Sequence, residues 1–131
     1  MGERKTMKEL SGAEWHVLES LWAGEPKVGS QIAADMAQKK GWSRSTTLTM
    51  LHRMTKKGLI FCDDSGKMKS YRPLIGREEA VKRETESFLE RVYNGSVSRL
   101  INGFVEKQEL TDKEIEELRQ ILNNAEGRHE R

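Results

Sequence analysis

Within residues 42–57 Thr47, Met50, Leu51 and Met54 recur at i, i+3, i+4 and i+7, the spacing of one face of an α-helix. Ser45, Thr49, His52, Arg53 and Lys56 fall on the opposite side. The pattern predicts a helix with Ser43 as N-cap, its hydroxyl placed to accept from the N–H of Ser45 or Thr46, and with Gly58 as the residue just past its end. Upstream, Leu10-Ser11-Gly12-Ala13-Glu14-Trp15 reads as a helix start. Ser11 and Glu14 form a capping box, and Leu10 is set to staple against Trp15. Trp15, Leu18, Leu21 and Trp22 then mark the inward face, until Gly24 and Pro26 end the helix near Ala23. A further helix is expected over residues 30–40, with Ile32, Ala33, Met36 and Ala37 inward. Gly41 stops it and Trp42 anchors the turn. After Gly58 the period changes to that of a strand: residues 59–62 and 68–73 predict a β-hairpin around the turn residues 63–67. Three helices and a basic hairpin describe a winged helix-turn-helix.

The helical period returns at Arg77. Ala80, Val81, Phe88, Leu89 and Val92 form a stripe over residues 77–94, and Gly95 caps it. Ser96 opens a shorter helix with Val97, Leu100, Ile101, Phe104 and Val105. A second capping box, Thr111 with Glu114, opens a last helix that continues through Leu118, Ile121 and Leu122, with Leu110 and Ile115 as its staple pair. The expected fold class is mainly α: a winged-helix DNA-binding domain over residues 7–76, a helical dimerisation domain over 77–124, and disordered tails at 1–6 and 125–131. Phe88, Val92, Leu100, Ile101, Phe104, Ile115, Leu118, Ile121 and Leu122 are more apolar surface than one thin helical layer hides. They are therefore expected to pack against a second copy, with a compact monomeric bundle as the alternative.

The net charge of +2 hides a division. Residues 1–76 hold 13 basic and 8 acidic side chains, whereas residues 77–131 hold 10 and 13. Between 39 and 72 nine basic residues face only Asp63 and Asp64, the electrostatic footprint of a polyanion partner. The outer face of the 42–57 helix carries hydroxyls and cations but no acid, as suits a surface lying against phosphates and base edges. The expected partner is double-stranded DNA. Ser43, Ser45 and Thr46, with the free N–H groups of the first turn, suit a phosphate at the positive end of the helix. Thr49 and Leu48 can touch a base edge or a thymine methyl, and Arg44 or Arg53 is long enough for a guanine or a phosphate. Lys67 and Lys69 on the hairpin either touch a phosphate or keep an exposed edge strand unpaired.

No apolar run is long enough to span a bilayer and the N-terminus is too polar for a signal peptide, so a cytoplasmic protein without membrane contact is expected. Cys62 is the single cysteine, which excludes an internal disulfide, and His16, His52 and His129 are scattered. Neither a metal nor another cofactor is expected. Nucleophile–base pairs and phosphate loops are equally missing, so no enzyme is expected. The competing readings are a winged helix used for protein contact and a non-specific architectural DNA binder. Salt-dependent binding to duplexes separates the first, and absence of a preferred sequence marks the second.

The chain resembles the penicillinase and methicillin-resistance repressors of bacteria, the BlaI/MecI family, which are related to copper-responsive repressors. The resemblance rests on residues 10–15, Trp42-Ser43 with Thr46, Thr49, Arg53 and Lys56-Lys57-Gly58, and Tyr71 with Pro73. Further on it includes Ser87-Phe88-Leu89, Val92-Tyr93, Gly95, residues 104–107 and residues 114–118. It implies a homodimeric repressor that binds a dyad-symmetric operator through two winged helices joined by their C-terminal helices, with Ser45, Thr46, Thr49 and Arg53 at the DNA-contacting positions. In β-lactam-responsive members it further implies induction by a sensor-linked protease that cuts just before the Phe of an Asn-Phe-Val-Glu-Lys stretch. The equivalent bond here is Gly103-Phe104, with Asn102 displaced by one position. The copper-responsive relatives carry a C-terminal cysteine cluster that residues 123–131 lack, which excludes metal sensing of that kind.

Overall fold

The computed structural model describes residues 10–129; the expected disordered segment 1–6 and the last two residues lie outside it. The chain forms two compact units, one closing at Ser87 and the other opening at Phe88. That division falls eleven residues beyond the boundary expected at Arg77, inside a helix that runs Arg77–Tyr93.

In the first unit, α1 (Gly12–Ala23) is followed by β1 (Lys27–Val28), α2 (Gly29–Lys40), α3 (Arg44–Lys57), β2 (Ile60–Asp63) and β3 (Ser70–Pro73). The capping box that opens α1 is present: the Ser11 hydroxyl accepts from Glu14 N–H at 3.0 Å, and Glu14 Oε1 accepts from Ser11 N–H at 2.9 Å. Its buried side is Glu14, Val17, Leu18, Ser20 and Leu21 rather than the stripe expected through Trp15 and Trp22. Both indoles are half-buried at the flank of that face, edge to face with centroids 5.2 Å apart. An indole N–H taken out of water needs an acceptor, and the boundary supplies one for each. Trp15 Nε1 donates to Glu19 at 2.9 Å and Trp22 Nε1 to the Ile75 carbonyl at 2.9 Å. Helix α2 starts one residue before the expected Ser30, and Ala37 is exposed, so its inward set reduces to Ile32, Ala33 and Met36.

Both helices of the helix-turn-helix end on glycines in the left-handed region, Gly41 at φ 71° and Gly58 at φ 82°, which a side chain would strain. At each end the next residue reaches back across the last turn: Trp42 N–H to Met36 O at 3.3 Å and Leu59 N–H to Met54 O at 3.0 Å. Trp42 therefore stands outside α3. Val17, Leu18, Leu21, Ile32, Met36, Leu51, Met54, Leu59 and Ile60 form the core where α1, α2 and α3 meet the sheet. Thr47 is wholly buried among them, and its hydroxyl donates to the Ser43 carbonyl at 3.4 Å.

The sheet has three antiparallel strands in the order β1-β3-β2, one more than the hairpin that the alternation predicts. Two residues, Lys27 and Val28, are too short a run to show a period, and they join only because Tyr71 and Ser70 offer a free edge. The second hairpin strand begins at Ser70 instead of residue 68, which leaves Lys67, Met68 and Lys69 in the connection. Burial, and next the neighbouring Cys62, push the Tyr71 phenol above its usual range.

Lys27 also ties β1 to the helices. Its Nζ donates to Asp35 Oδ2 and to the Ser20 carbonyl, both at 2.8 Å, while the Ser20 hydroxyl donates to Asp35 at 2.6 Å. The Lys27 hydrogen bond, then the Ser20 bond, hold the Asp35 carboxyl below its ordinary value. A depressed carboxylate stabilises the fold fully above the unfolded-state value of 3.8, and that contribution fades as pH falls below it. Asp35→Asn is thus expected to lose about 1–2 kcal/mol at pH 7, given the partial exposure of the pair, with the deficit shrinking below pH ~3.8. Urea unfolding of both proteins from pH 7 to pH 3 checks the sign.

In the second unit the helix begun at Arg77, α4, ends at Tyr93, and Asn94 and Gly95 both take positive φ before α5 (Val97–Glu106). The expected box at the start of α6 (Asp112–His129) is formed, with Glu114 N–H to Thr111 Oγ1 at 3.1 Å and Thr111 N–H to Glu114 Oε1 at 2.9 Å. The helix continues to His129, so residues 125–129 are helical rather than part of a disordered tail. Asn123, Asn124 and Gly127 are weak helix formers that mask this continuation in the sequence.

Candidate nucleic-acid interface

The first turn of α3 is organised by hydroxyls. Ser43 Oγ accepts from Thr46 N–H at 3.1 Å and donates to Thr46 Oγ1 at 2.9 Å, with Ser45 Oγ 3.2 Å away. Of the two donors left open by the sequence, Ser45 N–H and Thr46 N–H, the one that reaches the Ser43 hydroxyl is therefore Thr46 N–H. A carboxylate in this turn would stabilise the helix through its dipole, yet the first turn holds no acid, while Lys56 and Lys57 occupy the last. Its start keeps an uncompensated positive potential. Ser43→Ala is expected to cost about 1 kcal/mol by removing the cap, read as a lower urea midpoint at unchanged slope.

Ser43, Arg44, Ser45, Thr46, Thr49 and Arg53 are all exposed, as are His52 and Lys56 beside them. Arg44, Arg53, Lys56, Lys67 and Lys69 form no salt bridge among the described residues. Lys57 differs. It pairs with the buried carboxylate of Glu14 and so ties the end of α3 to the start of α1. The sequence leaves that pair hidden, because nothing local links residues 43 positions apart.

In the wing, Asp63 Oδ1 accepts from Ser65 N–H at 3.0 Å and from Ser65 Oγ at 2.7 Å. Those bonds, the hydroxyl's first, lower the Asp63 pKa. One of the two acids of the basic segment is thus turned into its own loop, beside exposed Lys67 and Lys69. Arg72 lies 4.5 Å above the Phe61 ring on the outer side of the hairpin, a contact that sequence reading misses because a turn of uncertain length leaves the register open.

The second unit presents the opposite chemistry. Phe88, Val92, Phe104, Ile121 and Leu122 are exposed, the last two at 60% and 61%, and Leu100, Ile101, Ile115 and Leu118 are half-covered. Helix α5 separates its apolar and polar sides sharply but buries no residue. Ser98, Arg99, Ile101, Asn102, Val105 and Leu122 line an open groove of about 510 Å³. The Gly103-Phe104 bond lies within α5, and a Cβ at Gly103 would stand 3.6 Å from the Tyr93 hydroxyl. Among the described residues no three His, Cys, Asp or Glu side chains converge as a metal site, and no helix is long and apolar enough to cross a membrane.

Comparison with known proteins gives the family. The family model described as penicillinase repressor matches residues 10–124. The methicillin resistance regulatory protein MecI of Staphylococcus aureus (strain N315) is 35% identical over 115 residues, 88% of this chain and 94% of that protein. The penicillinase repressor of Bacillus licheniformis is 31% identical over 124 residues, covering 95% and 97%. The solution structure of the DNA-binding domain of the repressor BlaI matches 56% of this chain and 89% of its own, with a TM-score of 0.50 and 26% identity. Matched from Leu10 into its last helix, and folded as a winged helix followed by further helices, the chain belongs to the penicillinase repressor family.

Proposed function

We propose that the protein is a homodimeric, sequence-specific transcriptional repressor of the cytoplasm that binds a dyad-symmetric operator in double-stranded DNA. The observation that carries this reading is the exposed face of α3, where hydroxyls stand beside cations that form no salt bridge among the described residues, on a helix that carries no carboxylate. The first half of α3, from Ser43 to Thr49, meets phosphates and base edges in the major groove, Arg53 reaches a base or a phosphate, and Lys67 and Lys69 touch the backbone beside it. The apolar side chains of the second unit, from Phe88 and Val92 through Leu100, Ile101 and Phe104 to Ile115, Leu118, Ile121 and Leu122, are covered by a second copy. Two half-sites held by one dimer bind far more tightly than two separate heads.

Induction proceeds by a sensor-linked protease that cuts Gly103-Phe104. Cutting separates α6 from the rest of the second unit and removes apolar area from the dimer, so the linked contacts become independent weak ones. The bond lies in a helix, and the protease meets it when α5 opens locally. The test is selection of duplexes from a random pool by the purified protein, followed by binding measurements at two salt concentrations. Enrichment of an inverted repeat, with affinity falling steeply as salt rises, supports the reading. A pool that stays random marks a non-specific binder, and absence of salt-dependent binding marks a protein-contact module.

A further inference from the structure

Leu48 is the one large aliphatic side chain that α3 exposes, at 39%, on a surface otherwise made of hydroxyls and cations. Of its neighbours one turn away, Arg44, Ser45 and His52 are exposed and polar, while Leu51 is turned into the core. One side of it is held. A Cβ built on Gly29 would stand 3.6 Å from Leu48 Cδ2 and 3.7 Å from Tyr71 Cε1, so the leucine lies across bare glycine backbone next to the tyrosine ring. The rest of the side chain remains open to solvent. An aliphatic group fixed on one side and exposed on the other has lost part of its conformational freedom before any partner arrives, which favours a contact of defined position.

From this geometry we infer that Leu48 is a specificity-determining residue that reads the 5-methyl group of a thymine in each half-site. The inference rests on the DNA-binding reading given above and names the base feature that the flank of α3 selects. Among the groups that base pairs display in the major groove, the thymine methyl is the apolar one, while the others are donors and acceptors. A polar edge set against Leu48 loses water without gaining a hydrogen bond, so the same side chain that attracts thymine disfavours the other bases. Thr49, beside it, offers a hydroxyl as well as a methyl and so discriminates less.

The experiment uses the full-length protein and the duplex that it selects from a random pool, with deoxyuridine replacing each thymine in turn. That change removes a methyl and leaves every hydrogen-bonding group in place. At one position in each half-site the wild-type protein is expected to bind the uracil duplex about fourfold more weakly, the ratio for exposing one methyl group. Leu48→Ala binds the two duplexes alike, Thr49→Ser keeps the difference, and Leu48→Met, which retains an aliphatic side chain, keeps most of it. Thermal unfolding of each variant confirms that it is folded, and sensitivity of the wild type together with Leu48→Met decides the matter should Leu48→Ala not fold. Indifference of the wild type at every thymine overturns the inference, as does a difference that survives in Leu48→Ala or disappears in Thr49→Ser. Failure to select any duplex would instead overturn the sequence-specific reading of α3, and this inference with it.

Discussion

Phe104→Asp is expected to lower affinity for a duplex carrying both half-sites by about 10²–10⁴, while binding to a duplex with one half-site stays as it was. The asymmetry follows from where Phe104 lies. It belongs to the second unit, whereas α3 and the wing belong to the first, so the substitution changes no residue of the DNA-facing unit. In a single chain Phe104 is 43% exposed, on a helix that buries nothing. Covering a phenylalanine stabilises by about 1.5–3 kcal/mol, and a charge in its place reverses that and adds the cost of taking a carboxylate out of water. Sedimentation should show a monomer, and the ratio of two-site to one-site affinity should collapse. A dimer that persists with its two-site affinity intact would mean that another surface joins the subunits. Phe104 also flanks the bond proposed for cleavage, so the same variant mimics the bound-to-released change without a protease.

Much of the fold is legible along the chain, because the residues that fix its helices act locally. Ser11 with Glu14, Thr111 with Glu114, Ser43, Gly41 and Gly58 each determine a helix end through partners at most a few residues away. Errors appear where the deciding partner is distant. Trp15 and Trp22 belong to an apolar period and look like core, yet the need of Trp22 for the Ile75 carbonyl, 53 positions on, draws it to the boundary. Strand β1 exists only as an addition to Tyr71 and Ser70. The charges behave alike. An excess of cations over residues 39–72 can be counted, but counting cannot reveal that Lys57 is occupied by Glu14 or that Arg72 rests on Phe61. What the fold adds to the candidate face is therefore subtraction: it removes cations from the pool and leaves Arg44, Arg53, Lys56, Lys67 and Lys69 without carboxylate partners among the described residues.

Arg53→Ala is expected to weaken binding to the selected duplex by about five- to 150-fold, about 1–3 kcal/mol, the worth of a bidentate contact to a guanine edge. The structure makes this residue a sharp probe because its removal disturbs little else. Its side chain is exposed and in no salt bridge among the described residues, so neither the core nor a charge network loses a member. The helix that carries it is fixed independently by Thr47, Leu51 and Met54 on the buried side. Two further measurements identify the partner. A base contact makes the loss specific to the selected duplex, and Arg53→Lys does not restore it, since a single ammonium cannot match the planar fork of a guanidinium. A phosphate contact weakens selected and random duplexes alike, lowers the salt slope by about one, and is largely restored by lysine. Unchanged affinity for both duplexes would show that the outward side of α3 does not meet DNA, since an exposed arginine on it cannot be indifferent to a polyanion lying against it.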